Sequence, residues 1–184
     1  MQVRFLSSNE HKIQEVTDIL RGIGVGVKAV NTKIEELQTQ DVDRLVRDKV
    51  VKAYREIGHP IFVEHTGLSI SHLNGFPGGL TQIFWDSIKA DKFSELFGAL
   101  TDNKVTATTV IAYCDARKVY TFEGSVEGII APHPKGSRDF QWDCVFIPIG
   151  STETFAEMGS RKNDISMRRK AINEFAEFLR KPGR

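Results

Sequence analysis

The chain has 184 residues, a length that suits one domain, and its 25 basic residues against 24 acidic ones leave a net charge of +1. That balance supplies no global field toward nucleic acid or an anionic membrane, so neither is expected as a partner. No run approaches the roughly 18 apolar residues of a bilayer span, and Cys114 and Cys144 have the spacing of neither a metal site nor a disulfide framework.

The opening segment, MQVRFLSSNEHK, lacks the long apolar stretch of a secretion signal, and a cytoplasmic protein with reduced thiols is expected. Gln2 to Leu6 reads as a short buried strand. A helix follows over Glu10 to Arg21, with Ile13, Val16, Ile19 and Leu20 on one face and Asn9 as its cap. Val25, Val27 and Ala29 alternate as a strand does. Asp41 caps a second helix running to Ile57, whose inner face carries Val42, Leu45, Val46, Val50, Ala53 and Tyr54. Pro60 introduces a strand over Ile61 to Glu64, and Asn74 to Gly79 reads as loop. Phe93, Leu96, Phe97 and Leu100 fit a short helix. Val105–Cys114 and Lys118–Ala131 predict a long hairpin, and a small lobe built on that hairpin is one arrangement it allows. Val145–Pro148 predicts a strand, and Ser166 caps a last helix with Ile172, Phe175, Ala176 and Leu179 inside. The sum is an α/β fold with a mixed sheet and flanking helices, in a single domain over 1–184.

Four stretches carry polar groups where chemistry could sit. In FLSSNEHK a strand ends in small polar residues just before a helix start, where free backbone N–H groups and the helix dipole favour phosphate. Ser7, Ser8 and Asn9 add short donors and Lys12 lies one turn in; an ordinary helix cap with a surface lysine is the commoner explanation. In FVEHTGL, Glu64 is a strand-end carboxylate suited to a hard cation, and His65 titrates near neutral pH. Adjacent strand residues point to opposite faces, so a solvated strand end explains them equally. In SRDFQWDCVF, Phe140 and Trp142 offer flat faces for a base and Asp143 an acceptor for its edge, or else two core aromatics precede a strand. In SRKNDISMRRKA, Arg161, Lys162, Arg168, Arg169 and Lys170 crowd a helix start, where the dipole disfavours cations, which argues for a nearby anion.

In order, these stretches resemble the inosine-triphosphate pyrophosphatase family, over residues 4 to about 180. SSNEHKIQEV resembles T-G-N-x-x-K-x-x-E, and VEHTGLSISHLNGFPG resembles V-E-D-T-G-L followed by L-N-G-x-P-G. DFQWDCVFIPIGSTETFAEM resembles F-G-[YW]-D-P-x-F-x-P-x-G-x-x-x-T-[FY]-A-E-M, and RKNDISMRRKA resembles E-K-N-x-x-S-H-R-x-x-A. The resemblance implies an elongated two-lobed fold with a nucleotide cleft between the lobes, a homodimer, Mg²⁺, and hydrolysis of ITP, dITP and XTP to monophosphate and pyrophosphate. It places Ser7, Ser8, Asn9 and Lys12 on phosphates, and Phe140, Gln141, Trp142, Asp143, Lys162, Met167 and Arg168 at the base, with Thr66 also at the substrate. Glu64 matches the first of two adjacent acidic positions, and Glu36, with Glu35 as the rival, matches an upstream metal-binding glutamate.

The chain departs from the pattern where chemistry is expected. His65 replaces the second acidic residue, Met167 the histidine of S-H-R, Gln141 a glycine and Cys144 a proline. Imidazole is a poor Mg²⁺ ligand but accepts a proton when neutral, so His65 is expected to activate water. Met167 cannot donate to a base oxygen, which predicts weaker preference for 6-oxo purines. A nucleotide-binding protein with little or no turnover is the alternative expectation.

Overall fold

The computed structural model describes residues 1–180, so the expected domain runs four residues beyond them. Seven strands form one mixed sheet: β1 (Gln2–Leu6), β2 (Gly26–Val30), β3 (Ile61–Ile70), β4 (Pro77–Gly78), β5 (Lys104–Cys114), β6 (Val119–Ile130) and β7 (Phe146–Pro148). Their spatial order is β2-β1-β3-β5-β6-β7, with β4 alongside β3. β1 runs parallel to β2 and β3, and the remaining pairs are antiparallel.

The helices are α1 (Glu10–Arg21), α2 (Val42–Ile57), α3 (Thr81–Phe97), α4 (Phe155–Met158), α5 (Lys162–Ile165) and α6 (Met167–Arg180). The Asn9 side chain accepts from Lys12 N at 3.1 Å and Asp41 from Arg44 N at 3.0 Å, so both caps form as their residue types predict. Ser166 Oγ accepts from Arg169 N at 3.1 Å at the start of α6. α2 stops at Gly58, whose φ of 70° suits glycine.

Three apolar clusters divide the molecule. On one sheet face Phe5, Phe62 and Phe175 pack ring on ring beneath α1 and α6, with centroids 4.6 and 5.0 Å apart. On the other, Leu45, Val46 and Val50 of α2 cover Val63, Val110 and Ala112. A third cluster lies at the far end of the same strands, where Leu68, Ile70, Val105 and Ala107 meet Trp85, Phe93 and Phe97 of α3 and Trp142, Phe146 and Phe155. Truncating Phe62, fully buried, would cost about 3–5 kcal/mol.

Four expectations need correction. β3 runs to Ile70 rather than stopping at Glu64, because residues 61–70 register without a break against β5. The long hairpin forms, but as β5 and β6 in the centre of the sheet, not as a separate lobe. The helix expected around Phe93 begins at Thr81 and kinks at Lys89, whose φ of 58° interrupts the helical turn. Within the expected loop, Pro77 and Gly78 pair with β3. That approach needs glycine on both sides: a Cβ on Gly67 would lie 2.5 Å from Gly78 O, and one on Gly78 2.3 Å from Gln40 O.

Candidate active site

β1 ends at Leu6, having registered against β3 at Phe5 and Phe62, while β3 continues for another eight residues beyond Phe62 to Ile70. The missing neighbour leaves a gap along the β3 edge, and this gap is a cavity of about 230 Å³. It lies beyond the carboxyl end of β1, between strands whose connections wind to opposite sides, the usual ligand crevice of such sheets. The Leu68 N–H farther along that edge is satisfied by the Thr81 hydroxyl at 2.7 Å. Although Glu64 and His65 point to opposite sheet faces, both reach the gap because it opens at the strand edge.

Ser7, Ser8, Asn9 and Lys12 form one wall, at the start of α1. Lys12 Nζ stands 3.3 Å from Glu64 Oε2 and keeps part of its side chain exposed. Burial lowers the Lys12 amine, and the Glu64 carboxylate only partly restores it. Across the gap, Lys49 of α2 bonds Glu36 Oε2 at 2.5 Å. Glu36, not Glu35, therefore faces the cavity; Glu35 is exposed and offers its carbonyl oxygen to Lys52.

Glu64 lies at the centre, 4 % exposed. Its Oε1 accepts from the Thr66 hydroxyl at 2.5 Å and faces Arg168 Nη2 at 3.5 Å. Burial alone would raise its carboxyl, but Arg168 and Lys12, with Thr66, outweigh that and hold it well below the usual carboxylate range. His65 is 8 % exposed, and its Nδ1 lies 3.5 Å from Glu36 Oε1. Burial and the Lys12 charge depress the imidazole pKa despite Glu36 and Glu64. A neutral imidazole with its proton on Nδ1, the nitrogen on the Glu36 side, leaves Nε2 as the bare acceptor. Nε2 is buried with no hydrogen-bond partner.

The opposite end of the cavity is lined by Phe140, Gln141, Trp142, Gln82 and Arg168. Arg168 is fully buried, bonded to Glu15 and close to Glu64, so it ties α1, β3 and α6 together beneath the cavity. Trp142 packs edge-on to Phe146 in the core and shows the cavity only part of its surface. Gln141 adopts a φ of 43° and its amide bonds Gln82. Asp143 and Lys162 pair at 2.7 Å, both buried, and line a separate pocket of about 250 Å³ behind Phe140. The Lys162 ammonium lies over the Phe140 ring at 4.3 Å. Burial raises the Asp143 carboxyl despite Lys162. Met167 is fully buried in the far-end core and lines neither pocket.

The structure thus joins Ser7, Ser8, Asn9, Lys12, Glu36, Glu64, His65, Thr66, Phe140, Gln141, Trp142 and Arg168 around one space, with Asp143 and Lys162 next door. Sequence reasoning missed Lys49, Gln82 and Glu15. Glu15 closes the SSNEHKIQE stretch and carried a signal there, whereas Lys49 lies off the inner face of an expected helix and Gln82 lies outside every expected element.

Could the site hold a divalent cation? Glu36 and Glu64 both line the cavity, and Glu64 Oε2 is buried with no hydrogen bond beyond its 3.3 Å ion pair to Lys12. Carboxylate oxygens suit a hard cation, and Mg²⁺ is commonly held by one or two carboxylates together with substrate phosphates. Among the described residues, no group of three or more His, Cys, Asp or Glu is placed to hold a metal ion. The residues fit a shared site completed by phosphate oxygens, not an all-protein cage.

Residues 3–178 match the model of the Ham1 family. The chain is 34 % identical to a dITP/XTP pyrophosphatase of Hyperthermus butylicus, over 96 % of this chain and 94 % of that protein. It is 35 % identical to an inosine triphosphate pyrophosphatase of Yarrowia lipolytica, over 97 % of this chain and 96 % of that one. Among solved structures, the Ham1 protein of Staphylococcus aureus superposes with a TM-score of 0.81 at 24 % identity, covering 97 % of this chain and 98 % of its own. A HAM1 protein from Coxiella burnetii gives a TM-score of 0.83 at 23 % identity, with the same coverage.

Proposed function

The chain belongs to the Ham1 family, and from that premise we propose that it hydrolyses non-standard purine nucleoside triphosphates, of the ITP, dITP and XTP class, to monophosphate and pyrophosphate. The observation that carries the reading is one cavity with a strand-end polar cradle at one end, an aromatic-lined loop at the other, and a buried carboxylate and imidazole between them.

Ser7, Ser8, Asn9, Lys12 and Lys49 take the phosphates, by hydrogen bond and by charge. His65 Nε2 accepts a proton from water as the oxygen attacks the α-phosphorus, and the bond to the α–β bridging oxygen breaks. The electron pair leaves with pyrophosphate, and the monophosphate remains. Glu36, 3.5 Å from Nδ1, positions the imidazole. Glu36 and Glu64 would hold Mg²⁺, which when bound supplies charge neutralisation for the phosphates. Phe140, Gln141, Trp142 and Arg168 meet the base end, with Asp143 and Lys162 reached past Phe140. Met167, a thioether within the core, offers no donor to a 6-oxo group, so discrimination among purines is weaker than a histidine there would give. Gln141 gives the pocket an amide of its own.

We place the protein in the cytoplasm as a homodimer. Light scattering reads the dimer directly; Ile83, Leu96, Ile149 and Ile165 are the large apolar side chains exposed for such contacts, apart from Met1.

The test is pyrophosphate release from ITP, dITP, XTP, GTP and ATP with Mg²⁺, beside a binding titration of the same panel. Release from the inosine and xanthosine nucleotides is expected. Tight binding without release from any of them would overturn hydrolysis in favour of a nucleotide-binding role.

A further inference from the structure

The hydrogen bonds that hold Glu64 extend one residue past the cavity. Glu64 and Thr66 lie two positions apart on β3 and share a face of the sheet, and Thr66 registers directly against Thr109 of β5. The Thr66 hydroxyl lies 2.5 Å from Glu64 Oε1 and 2.6 Å from the Thr109 hydroxyl. Thr109 is fully buried and is not among the residues that line the cavity. On its other side β6 places Gly124 opposite it, and the start of α6 rests on that glycine. A Cβ at Gly124 would collide with the backbone of Met167 and Ala171, so this neighbour brings backbone up to Thr109 and no side chain.

The hydrogens available fix the direction of both bonds. A carboxylate only accepts, and a hydroxyl has one hydrogen to give. Glu64 takes the Thr66 hydrogen, and Thr109 therefore donates to Thr66. Two hydroxyls in series, one from each strand, end on a single carboxylate oxygen. Each bond polarises the next, and the last is charge-assisted. Glu64 Oε1 is thus tied to Thr66 and faces Arg168 at 3.5 Å, while Oε2 stands 3.3 Å from Lys12. The adjacent threonine shows the contrast. Thr108 points to the other sheet face, where its hydroxyl pairs with Ser125 at 2.9 Å and reaches no cavity carboxylate.

We propose that Thr109 is a positioning residue: acting through Thr66, it holds the Glu64 carboxylate in the one orientation that hydrolysis uses, with Oε1 bound to the strands and Oε2 on the Lys12 side. The role rests on the hydrolytic reading above and adds to it a group that never meets the substrate. Without the Thr109 hydrogen, Thr66 loses one of the two bonds that set its hydroxyl, and the two oxygens of Glu64 become easier to exchange.

Two substitutions separate this role from packing. Thr109→Val keeps the shape and removes the hydroxyl, whereas Thr109→Ser keeps the hydroxyl and removes a buried methyl. A residue that only fills space would tolerate valine better than serine; a positioning hydroxyl reverses that order. In pyrophosphate release from ITP, kcat/KM should fall about twofold to tenfold in Thr109→Val, as for loss of one hydrogen bond. Thr109→Ser should keep the wild-type value although its melting temperature drops. In a Thr66→Val background, Thr109→Val should cost nothing further, because the link it acts through is already gone. Thr108→Val, a hydroxyl lost from the opposite face, should change nothing. Proton NMR supplies a readout that needs no turnover. The buried Thr66 hydroxyl proton should resonate downfield in the wild type and in Thr109→Ser, and move upfield in Thr109→Val. A wild type without that proton signal, a greater loss of kcat/KM in serine than in valine, or an additive loss in the double variant would overturn the positioning role. The two readings fail separately. Turnover by the wild type with kcat/KM and the hydroxyl shift unaltered in Thr109→Val sinks the positioning role alone. No turnover by the wild type, with the hydroxyl shift moving only in valine, sinks the hydrolytic reading and leaves the chain onto Glu64 standing.

Discussion

The two ends of the main cavity are built on different principles. The end we assign to the phosphates is made where strands stop: β1 ends at Leu6, α1 begins at Glu10 behind its Asn9 cap, and the lysines there keep partial access to water, 22 % for Lys12 and 19 % for Lys49. The end we assign to the base is made from buried side chains paired with one another: Asp143 with Lys162, Lys162 over Phe140, Arg168 beside Glu64. An end built on backbone termini offers groups already directed at an anion, at little cost to the fold. An end built on buried charges links recognition to stability, because each charge removed leaves another without its partner.

The sharpest break in this contrast would come at its middle. His65→Ala should lower kcat roughly 10²–10⁴-fold with little change in melting temperature, as for loss of a general base. The wild-type acid limb of kcat/KM should lie below pH 6.5, since burial and Lys12 hold the imidazole neutral to lower pH and only the neutral form accepts a proton. A limb above pH 6.5 would exclude His65 as that base.

Next in size, Arg168→Ala should destabilise by about 3–5 kcal/mol, because Glu15 and Glu64 would share a buried space with no arginine between them. Urea unfolding measures it; a loss below about 1 kcal/mol would show that the base end is not a structural knot. Lys12→Ala should instead raise KM for triphosphates by roughly tenfold to hundredfold and leave nucleoside binding alone. Equal weakening of nucleosides would move Lys12 out of the phosphate end.

The smallest effect has opposite signs at the two ends. The Glu64 carboxyl is depressed, so its stabilisation is complete above its ordinary value of 4.5 and is lost as pH falls below that. The Asp143 carboxyl is raised, so its contribution is complete below 3.8 and is lost as pH rises through its folded value. Urea midpoints between pH 3 and 7 should fall less steeply on acidification in Glu64→Gln and more steeply in Asp143→Asn. Slopes that move the same way in both variants would erase the distinction.

The sequence made the local elements legible because their causes are local. Asn9, Asp41 and Ser166 cap helices through their own side chains, and Val16, Ile19 and Leu20 mark a helical face by spacing alone. The reach of β3 was not legible, since Glu64, His65 and Thr66 look like a polar strand end until a gap beside them gives them something to face. Lys49 acquires its meaning from Glu36, 13 positions away, and no spacing within α2 announces it. Met167 sits in the stretch matched to base recognition yet is core, because α6 places it in the apolar cluster that includes Trp142 and Phe155 and not in the lining of either pocket. Phe140 separates Asp143 and Lys162 from the main cavity, which their nearness in sequence conceals.

The continuity of β3, β5 and β6 bears on motion. All three strands contribute to the cores at both ends: Phe62 and Ile70 on β3, Tyr113 and Val105 on β5, Phe122 and Val126 on β6. A hinge needs a stretch of chain that few bonds cross, and here a three-stranded hydrogen-bonded ladder runs through the place where such a hinge would lie. Enclosure of a ligand must therefore come from the two connecting segments that flank the gap, residues 31–41 and 131–140, while the ladder beneath keeps its form. Amide hydrogen exchange should separate the two: slow from Phe62 to Leu68 with or without nucleotide, and slowed by nucleotide in the flanking segments.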